Sequence, residues 1–229
     1  MKDYSILERN LGYSFQDKKL LTHALTHSSY ASEHDLAYSE NNERLEFIGD
    51  AYLDAIIGNK LYEVMPNRPE GVLSKTRANI VCERSLATIA RHIGLGDFLF
   101  LGNGEEMYGG REKDSILADA VEAIIGAIIR ESGYDCADRV VLKLFEENIL
   151  LALQGKLYHD YKTALQEKLQ ERYKNVKIQY EPVSESGPDH RKVFTVQVKV
   201  DGAVLATGSG HSKKAAEQEA ARKVLMKGV

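Results

Sequence analysis

The hydrophobic period of the sequence changes once, near residue 153, and this change limits the possible folds more than any other feature. Before it, apolar residues recur at the spacing of α-helices, and no segment alternates like a strand. After it, Phe194, Val196, Val198 and Val200 alternate with polar residues, as in a half-buried strand. We therefore predict an all-α domain followed by a smaller α+β domain.

Prolines and glycines divide the first part into predicted helices. The PNRPEG segment at 66–71 ends one helix and begins the next, and Ser132 and Gly133 separate the last two. The predicted helices cover residues 16–29, 42–65, 70–94, 113–131 and 135–153. We expect this helical domain to span residues 1–153 and a short linker to follow at 154–159.

The last part, residues 160–229, has the predicted element order α-β-β-β-α. Its first helix carries Tyr161, Leu165 and Leu169 at four-residue intervals. Strands follow from about residue 176, and Asp201-Gly202 forms a hairpin turn between two of them. A final helix begins near Ser212. This order predicts two helices packed on one face of an antiparallel sheet.

Charge is divided along the chain in the same way. Residues 1–153 contain 16 Lys and Arg against 25 Asp and Glu, a net charge of −9, whereas residues 154–229 contain 14 against 9, a net charge of +5. This division suggests an acidic or metal-dependent body joined to a domain that binds a polyanion. No apolar run approaches the ~20 residues of a membrane span, so no membrane partner is expected. Two cysteines without a CxxC spacing fit a reducing, cytoplasmic location.

The segment NERLEFIGD at 42–50 places several carboxylates on one face of a predicted helix. At about 100° per residue, Glu43, Glu46 and Asp50 fall within an arc of about 60°, and Asp54 extends the stripe by one turn. A stripe of this kind is often only a solvated helix face. The apolar Phe47 and Ile48 between the acids argue against a wholly solvated helix.

A second acidic pair, Asp119 and Glu122, lies within the strongly apolar segment ILADAVEAIIGAII. Buried carboxylates need partners, since an unpaired buried charge costs several kcal/mol. If the two helices pack together, Glu46, Asp50, Asp119 and Glu122 could surround a hard divalent cation such as Mg²⁺.

The segments NERLEFIGD, PEGVLS and ILADAVEAIIGA resemble the signature and acidic segments of the ribonuclease III family, and ALTHSSY at 24–30 is similar to its N-terminal helix. Residues 160–228 resemble its double-stranded-RNA-binding domain. The resemblance implies that Glu46, Asp50, Asp119 and Glu122 bind Mg²⁺, for which Mn²⁺ could substitute. It also implies catalytic roles, which it assigns to Asp50, Glu122, Glu43 and Glu70.

The residues themselves give weaker support for a functional role at Glu70, and at the histidine pair of the ALTHSSY region, than at the acidic segments. Glu70 follows Pro69 at a helix start, where the helix dipole stabilises an acid whatever its function. His23 and His27 have an i, i+4 spacing that could hold zinc, but the HExxH glutamate and an evident third ligand are missing.

The segment GSGHSKKAAEQEA places Lys213 and Lys214 at the N-terminus of the last helix, the end that the helix dipole makes unfavourable for cations. Free backbone N–H groups and two ammonium groups together suggest a phosphate site, and a solvated lysine pair is the alternative. By resemblance, Thr163, Gln166 and Glu167 would contact one minor groove of RNA. His190 would reach the next groove, and the lysines would contact the phosphates between.

The resemblance therefore implies a Mg²⁺-dependent endoribonuclease that acts as a homodimer on double-stranded RNA. Its products would carry 5′-phosphate and 3′-hydroxyl ends with short 3′ overhangs, and its substrates would be ribosomal RNA precursors and structured messenger RNAs. Phe47 would lie at the dimer interface. The alternatives are a double-stranded-RNA-binding protein without catalysis and a structural ribosome-associated protein.

Overall fold

The computed structural model describes residues 3–154, 157, 161–173, 175–188 and 192–227. It divides into two compact units, Met1–Gln154 and Gly155–Val229. The first unit is helical, and the second combines helices with a sheet, so the predicted fold class is confirmed. Most of the predicted linker at 154–159 lies outside the described residues. Within the described ranges, no helix has both the length and the apolar character needed to cross a bilayer.

The helices of the first unit are α1 (Ser5–Leu11), α2 (Lys18–Ala24), α3 (Ser28–Glu33), α4 (Glu43–Val64), α5 (Glu70–Ile80), α6 (Glu83–His92), α7 (Asn103–Met107), α8 (Asp114–Ser132), α9 (Tyr134–Leu144) and α10 (Glu146–Leu153). Short 3₁₀ turns lie at Tyr38–Glu40, Leu95–Phe98 and Gly110–Glu112.

Helix α8 is the centre of the first unit. It packs against α2, α4, α6 and α9. Its apolar residues from Ile116 to Ile128 are buried on nearly every side, which explains why the sequence there is apolar beyond a single stripe. Helix α4 buries Leu53, Ile56 and Ile57. The two longest helices of the unit therefore form its core.

Three of the predicted helices are interrupted. The helix predicted at 16–29 breaks because Thr26 forms a parallel bridge with Phe100. Around that bridge the His27 N–H donates to the Phe100 carbonyl at 3.0 Å, and the Phe100 N–H donates to the Leu25 carbonyl at 2.9 Å. The helix predicted at 70–94 breaks where Cys82 adopts an extended conformation. The helix predicted at 135–153 breaks at the fully buried Phe145.

The second unit contains α11 (Tyr161–Arg172), β1 (Ile178–Ser186), β2 (Val193–Val200), β3 (Ala203–Gly210) and α12 (Lys213–Met226). The sheet is antiparallel in the order β1-β2-β3. The predicted turn lies between β2 and β3, where Asp201 and Gly202 both have positive φ. A core on one side of the sheet includes Leu165, Val198 and Val224. The predicted α-β-β-β-α order is confirmed.

Candidate functional site

Two glycines allow α4 and α8 to cross at very short range. A Cβ atom at Gly49 would lie 1.8 Å from the Glu122 carbonyl oxygen, and one at Gly126 would lie 2.1 Å from the Leu45 carbonyl oxygen. No side chain fits at either position, so only glycine permits this backbone contact. The crossing places the acidic residues that precede each glycine beside one another.

Glu46, Asp119 and Glu122 form a cluster at this crossing, which we call the carboxylate trio. One oxygen of each lies within 4.8 Å of an oxygen of the other two. All three side chains are half-buried. Three carboxylates so close and so poorly solvated repel one another strongly if all are ionised. The arrangement therefore needs either bound protons or a cation.

The pKa values of the trio reflect this conflict. Burial raises the pKa of Glu122 to about 8, and the charges of Asp50, Glu46 and Asp119 add to the effect. Burial also raises the pKa of Glu46 to about 6, with further contributions from Asp119, Glu43 and Asp50. Burial also raises the pKa of Asp119, whereas its electrostatic interaction with His27 lowers that pKa. A divalent cation at the trio would reverse these shifts by favouring the ionised forms.

Asp50 lies next to the trio but outside it. Its side chain is exposed, one turn after Glu46 on α4, and its charge raises the pKa of both Glu46 and Glu122. The structure thus brings together three of the four predicted metal ligands and leaves Asp50 on the solvent side. An oxygen-only donor set with an open, solvated side fits Mg²⁺ or Mn²⁺, which keep waters among their ligands.

The other two predicted acidic residues occupy different surroundings. Glu43 is the first residue of α4, is half-buried, and contributes to the raised pKa of Glu46. Glu70 is the first residue of α5, is exposed, and accepts a hydrogen bond from the Ser74 hydroxyl at 2.6 Å. Glu70 is not a member of the trio.

The two histidines considered for zinc do not share one helix. Helix α2 ends at Ala24, and His27 caps α3 with its Nδ1, which accepts the Ser29 N–H. His23 Nε2 lies 2.8 Å from the Asn41 carbonyl oxygen. Within the described part of the chain, the carboxylate trio is the group that could hold a metal, and it contains no histidine. The i, i+4 spacing therefore does not place the two histidines on one helix face.

Phe47 projects from α4 on the side that also carries Glu43. Its side chain is 78% exposed, although phenylalanine is among the residues most often buried. It borders an open groove of about 680 Å³. The groove is lined by Leu20, His23, Ser39, Glu43, Arg44, Leu45, Phe47, Ile48 and Arg130. We call this surface the Phe47 groove.

In the second unit, the predicted RNA-contacting residues of α11 face solvent. Thr163, Gln166 and Glu167 are all exposed, whereas Leu165 and Leu169 are buried on the opposite side. The orientation of α11 is fixed by α12, because Gln218 accepts the Tyr161 N–H at 2.7 Å. The packing of α11 on α12 thus leaves the polar face of α11 toward solvent.

Lys213 and Lys214 are exposed in the first turn of α12. The Ser212 hydroxyl caps this helix by accepting the Ala215 N–H at 3.1 Å, so one of the backbone donors expected to be free is already used. The two ammonium groups and the remaining donors are the parts of the predicted phosphate site that stay available. His190, also predicted to contact RNA, lies outside the described residues.

Sequence reasoning missed the residues that position the acidic side chains but do not themselves bind a metal or substrate. Gly49 and Gly126 each lie inside a continuous helix, and a glycine inside a helical pattern can signal close packing. The Thr26 carbonyl accepts the Asn42 N–H at 2.8 Å, which fixes the start of α4. No local pattern in the sequence indicates that contact.

Comparison with known proteins identifies both units. Residues 17–149 match the family model described as ribonuclease-III-like, and residues 161–227 match the double-stranded RNA binding motif. The chain is 51% identical to Ribonuclease 3 of Caldanaerobacter subterraneus subsp. tengcongensis, with 96% of each chain covered. It is 47% identical to Ribonuclease 3 of Pelotomaculum thermopropionicum, covering 97% of this chain and 92% of that relative.

A solved structure of a nuclease domain supports the same family assignment for the first unit. The nuclease domain of ribonuclease III from Campylobacter jejuni superposes with a TM-score of 0.60 at 49% identity, covering 65% of this chain and 99% of that one. That nuclease domain shows structural flexibility in a region involved in dimer formation.

Proposed function

The chain belongs to the ribonuclease III family, and we propose that it is an endoribonuclease that hydrolyses phosphodiester bonds within double-stranded RNA in the presence of Mg²⁺. The observation that carries this proposal is the carboxylate trio at the glycine crossing of α4 and α8. Burying three carboxylates without a cation is unfavourable, so a protein with no metal chemistry has little reason to keep them.

Glu46, Asp119 and Glu122 would hold the ion, with Asp50 completing the set from the solvent side. Mn²⁺ fits the same donors. When bound, the ion supplies an activated water and stabilises negative charge on the phosphate. Hydrolysis forms a bond between water oxygen and phosphorus and breaks the bond from phosphorus to the 3′ oxygen. The 3′ oxygen takes up a proton, which leaves 5′-phosphate and 3′-hydroxyl ends.

Glu43 and Glu70 are proposed to support this chemistry from outside the trio. Glu43 does so through its charge on Glu46, since the two lie on one face of α4. Glu70 is exposed at the start of α5 and is available to act on solvent or on RNA. We assign both residues a catalytic role alongside Asp50 and Glu122.

The active form is proposed to be a homodimer through the first unit. An aromatic side chain that is 78% exposed beside an open groove is a typical anchor for a partner. A two-fold interface would pair this surface with its own copy. Two sites, each cutting one strand, would leave short 3′ overhangs.

The second unit is proposed to hold the duplex. Thr163, Gln166 and Glu167 would contact one minor groove, and His190 the next, while Lys213 and Lys214 would bind the phosphates between them. A domain of this kind covers ~16 base pairs and recognises A-form shape more than sequence. The substrates would be ribosomal RNA precursors and structured messenger RNAs. The two free cysteines fit the cytoplasm.

Cleavage of a long RNA duplex in the presence of Mg²⁺ tests the proposal. We expect the native chain to cleave and Glu122→Gln to lose at least about 100-fold in rate, because a ligand of the ion is lost. Glu147→Gln, at an exposed glutamate of α10, is the matched control and should cleave like the native chain. If the native chain binds the duplex but cleaves it with neither Mg²⁺ nor Mn²⁺, the protein is a binding module.

A further inference from the structure

The acidic stripe of α4 continues past the proposed metal ligands to Asp54. This residue lies one turn after Asp50 and two turns after Glu46, so the three share one helix face. Its charge reaches the trio and contributes to the raised pKa of Glu122. Since RNA is a polyanion, an additional carboxylate beside the site works against substrate binding unless it has another purpose.

The purpose of Asp54 is indicated by its contact with Arg77 of α5. Its Nε lies 3.5 Å from Asp54 Oδ1. The Arg77 side chain also packs beside Gly58, one turn after Asp54, where a Cβ would be in ordinary van der Waals contact with Arg77 Nη1 at 3.6 Å and Arg77 Cδ at 3.7 Å. The guanidinium therefore lies along α4, between its ion pair with Asp54 and its packing contact at Gly58.

Stability alone gives a weak reason for this arrangement. The Arg77 and Asp54 side chains are 39% and 42% exposed, and exposed ion pairs of this kind stabilise proteins very little. Arginine, however, presents five N–H donors in a planar fork that suits phosphate. One carboxylate cannot engage them all, and the exposed part of the side chain can be reached by a ligand.

We propose that Arg77 binds a phosphate of the RNA strand being cut and that Asp54 is the positioning residue that holds its guanidinium in place. Four residues of α-helix span about 6 Å. Asp54 is therefore about 6 Å from the level of Asp50 and about 12 Å from that of Glu46 along the helix. The phosphate that Arg77 contacts would therefore lie close to the cleaved bond on the same strand, within about 12 Å of the metal ligands along α4.

This inference rests on the proposed function, and cleavage kinetics with salt-dependent binding test it. The substrate is an RNA duplex of about 30 base pairs, which is longer than the ~16 base pairs that the second unit covers. We expect Arg77→Gln to raise KM about tenfold with a smaller change in kcat. In a Glu122→Gln background, which prevents turnover, it should lower the salt slope of binding by about one.

Asp54→Asn should also raise KM, by about threefold, but should leave the salt slope at the native value because Arg77 keeps its charge. Arg77→Lys should likewise keep the slope while raising KM, since the planar fork is lost. Arg139→Gln, at an exposed arginine of α9, is the charge-matched control and should keep the native KM. Melting temperatures of all variants identify any that fold poorly.

A native KM and salt slope for Arg77→Gln overturn the inference, even if that variant loses stability. Equal losses of stability in Arg77→Gln and Asp54→Asn, without any change in slope, also overturn it, since they indicate a purely structural ion pair. If the native chain cleaves no duplex at all, the proposed function fails instead, and the two failures are distinct.

Discussion

Both units use a glycine to bring two backbone segments closer than side chains permit. A Cβ at Gly126 of α8 would lie 2.1 Å from the Leu45 carbonyl oxygen, and one at Gly208 of β3 would lie 2.2 Å from the Ala220 nitrogen. The consequences differ. In the first unit the close approach partly buries a cluster of carboxylates. In the second it seats an alanine-rich helix on the sheet and leaves the polar residues on the surface.

The two units therefore place their polar residues in different surroundings, half-buried at the trio and exposed on the second unit. The trio lies where charge is costly, so a cation is strongly favoured there and the geometry of the site is fixed by the backbone. The proposed RNA contacts are exposed, where charge and polarity cost little, so they would adapt to a duplex; they are Thr163, Gln166, Lys213 and Lys214. A change at the crossing should therefore have large, all-or-none effects, and a change on the RNA-binding surface small, additive ones.

The largest effect should follow Gly126→Ala. The new methyl group collides with backbone rather than with a movable side chain, so α4 and α8 must separate. We expect a loss of about 3 kcal/mol or more in the free energy of unfolding and the loss of Mg²⁺-dependent cleavage. Chemical denaturation and the cleavage assay measure the two effects.

Gly104→Ala is the matched control for this substitution. A Cβ at Gly104, within α7, meets no atom within 4 Å, and its φ is not positive. This variant should keep native activity and stability to within about 1 kcal/mol. Native-like cleavage by Gly126→Ala would show that the backbone contact does not define the site.

An intermediate effect is expected from pH. Burial in the folded state raises the pKa of Glu122 from its ordinary value of 4.5 to about 8. Between these values the folded state holds a proton that the unfolded state has released, so without metal the stability falls as pH rises through this window. Glu122→Gln removes that loss. Its stability relative to the native chain should rise by on the order of 1–3 kcal/mol between pH 4.5 and 8.5, allowing for solvent screening.

Thermal or chemical unfolding in a metal chelator measures this difference. Adding Mg²⁺ at pH 8.5 should stabilise the native chain more than Glu122→Gln, because only the native trio is intact. Glu147→Gln should show the native pH dependence. A constant difference in stability between Glu122→Gln and the native chain across this range would mean that the trio is not strained without metal.

The smallest effect should come from the RNA-binding surface. Replacing both Lys213 and Lys214 with Gln should lower the salt slope of duplex binding by about two, because two phosphate contacts are lost. Affinity should fall by about tenfold at moderate salt, while cleavage persists at low salt. Filter binding across salt concentrations measures the slope, and an unchanged slope would place these lysines away from the RNA backbone.

The sequence predicted features that depend on local patterns. The β2–β3 hairpin followed from Asp201-Gly202, and the long helices α4 and α8 followed from their apolar spacing. Features that depend on distant residues were missed. The break after α2 exists because Thr26 pairs with Phe100, 74 positions later, and no local propensity encodes that pairing.

The same distinction holds for the site. The carboxylates could be named from spacing and resemblance, but their grouping into a trio with Asp50 outside it depends on how α4 and α8 cross. The crossing is set by Gly49 and Gly126, and the sequence gives no rule for which helix each glycine meets. The role proposed for Arg77 could not be predicted from the sequence for the same reason, because its partner Asp54 is on another helix.

The glycine crossing also bears on protein engineering. Replacing helix-interior glycines with alanine is a standard way to raise thermal stability, because it improves helix propensity and restricts the unfolded chain. A design that scored α4 and α8 on propensity alone would select Gly49 and Gly126 among its first targets. The resulting protein would retain every carboxylate of the site and still lose the helix contact that brings them together.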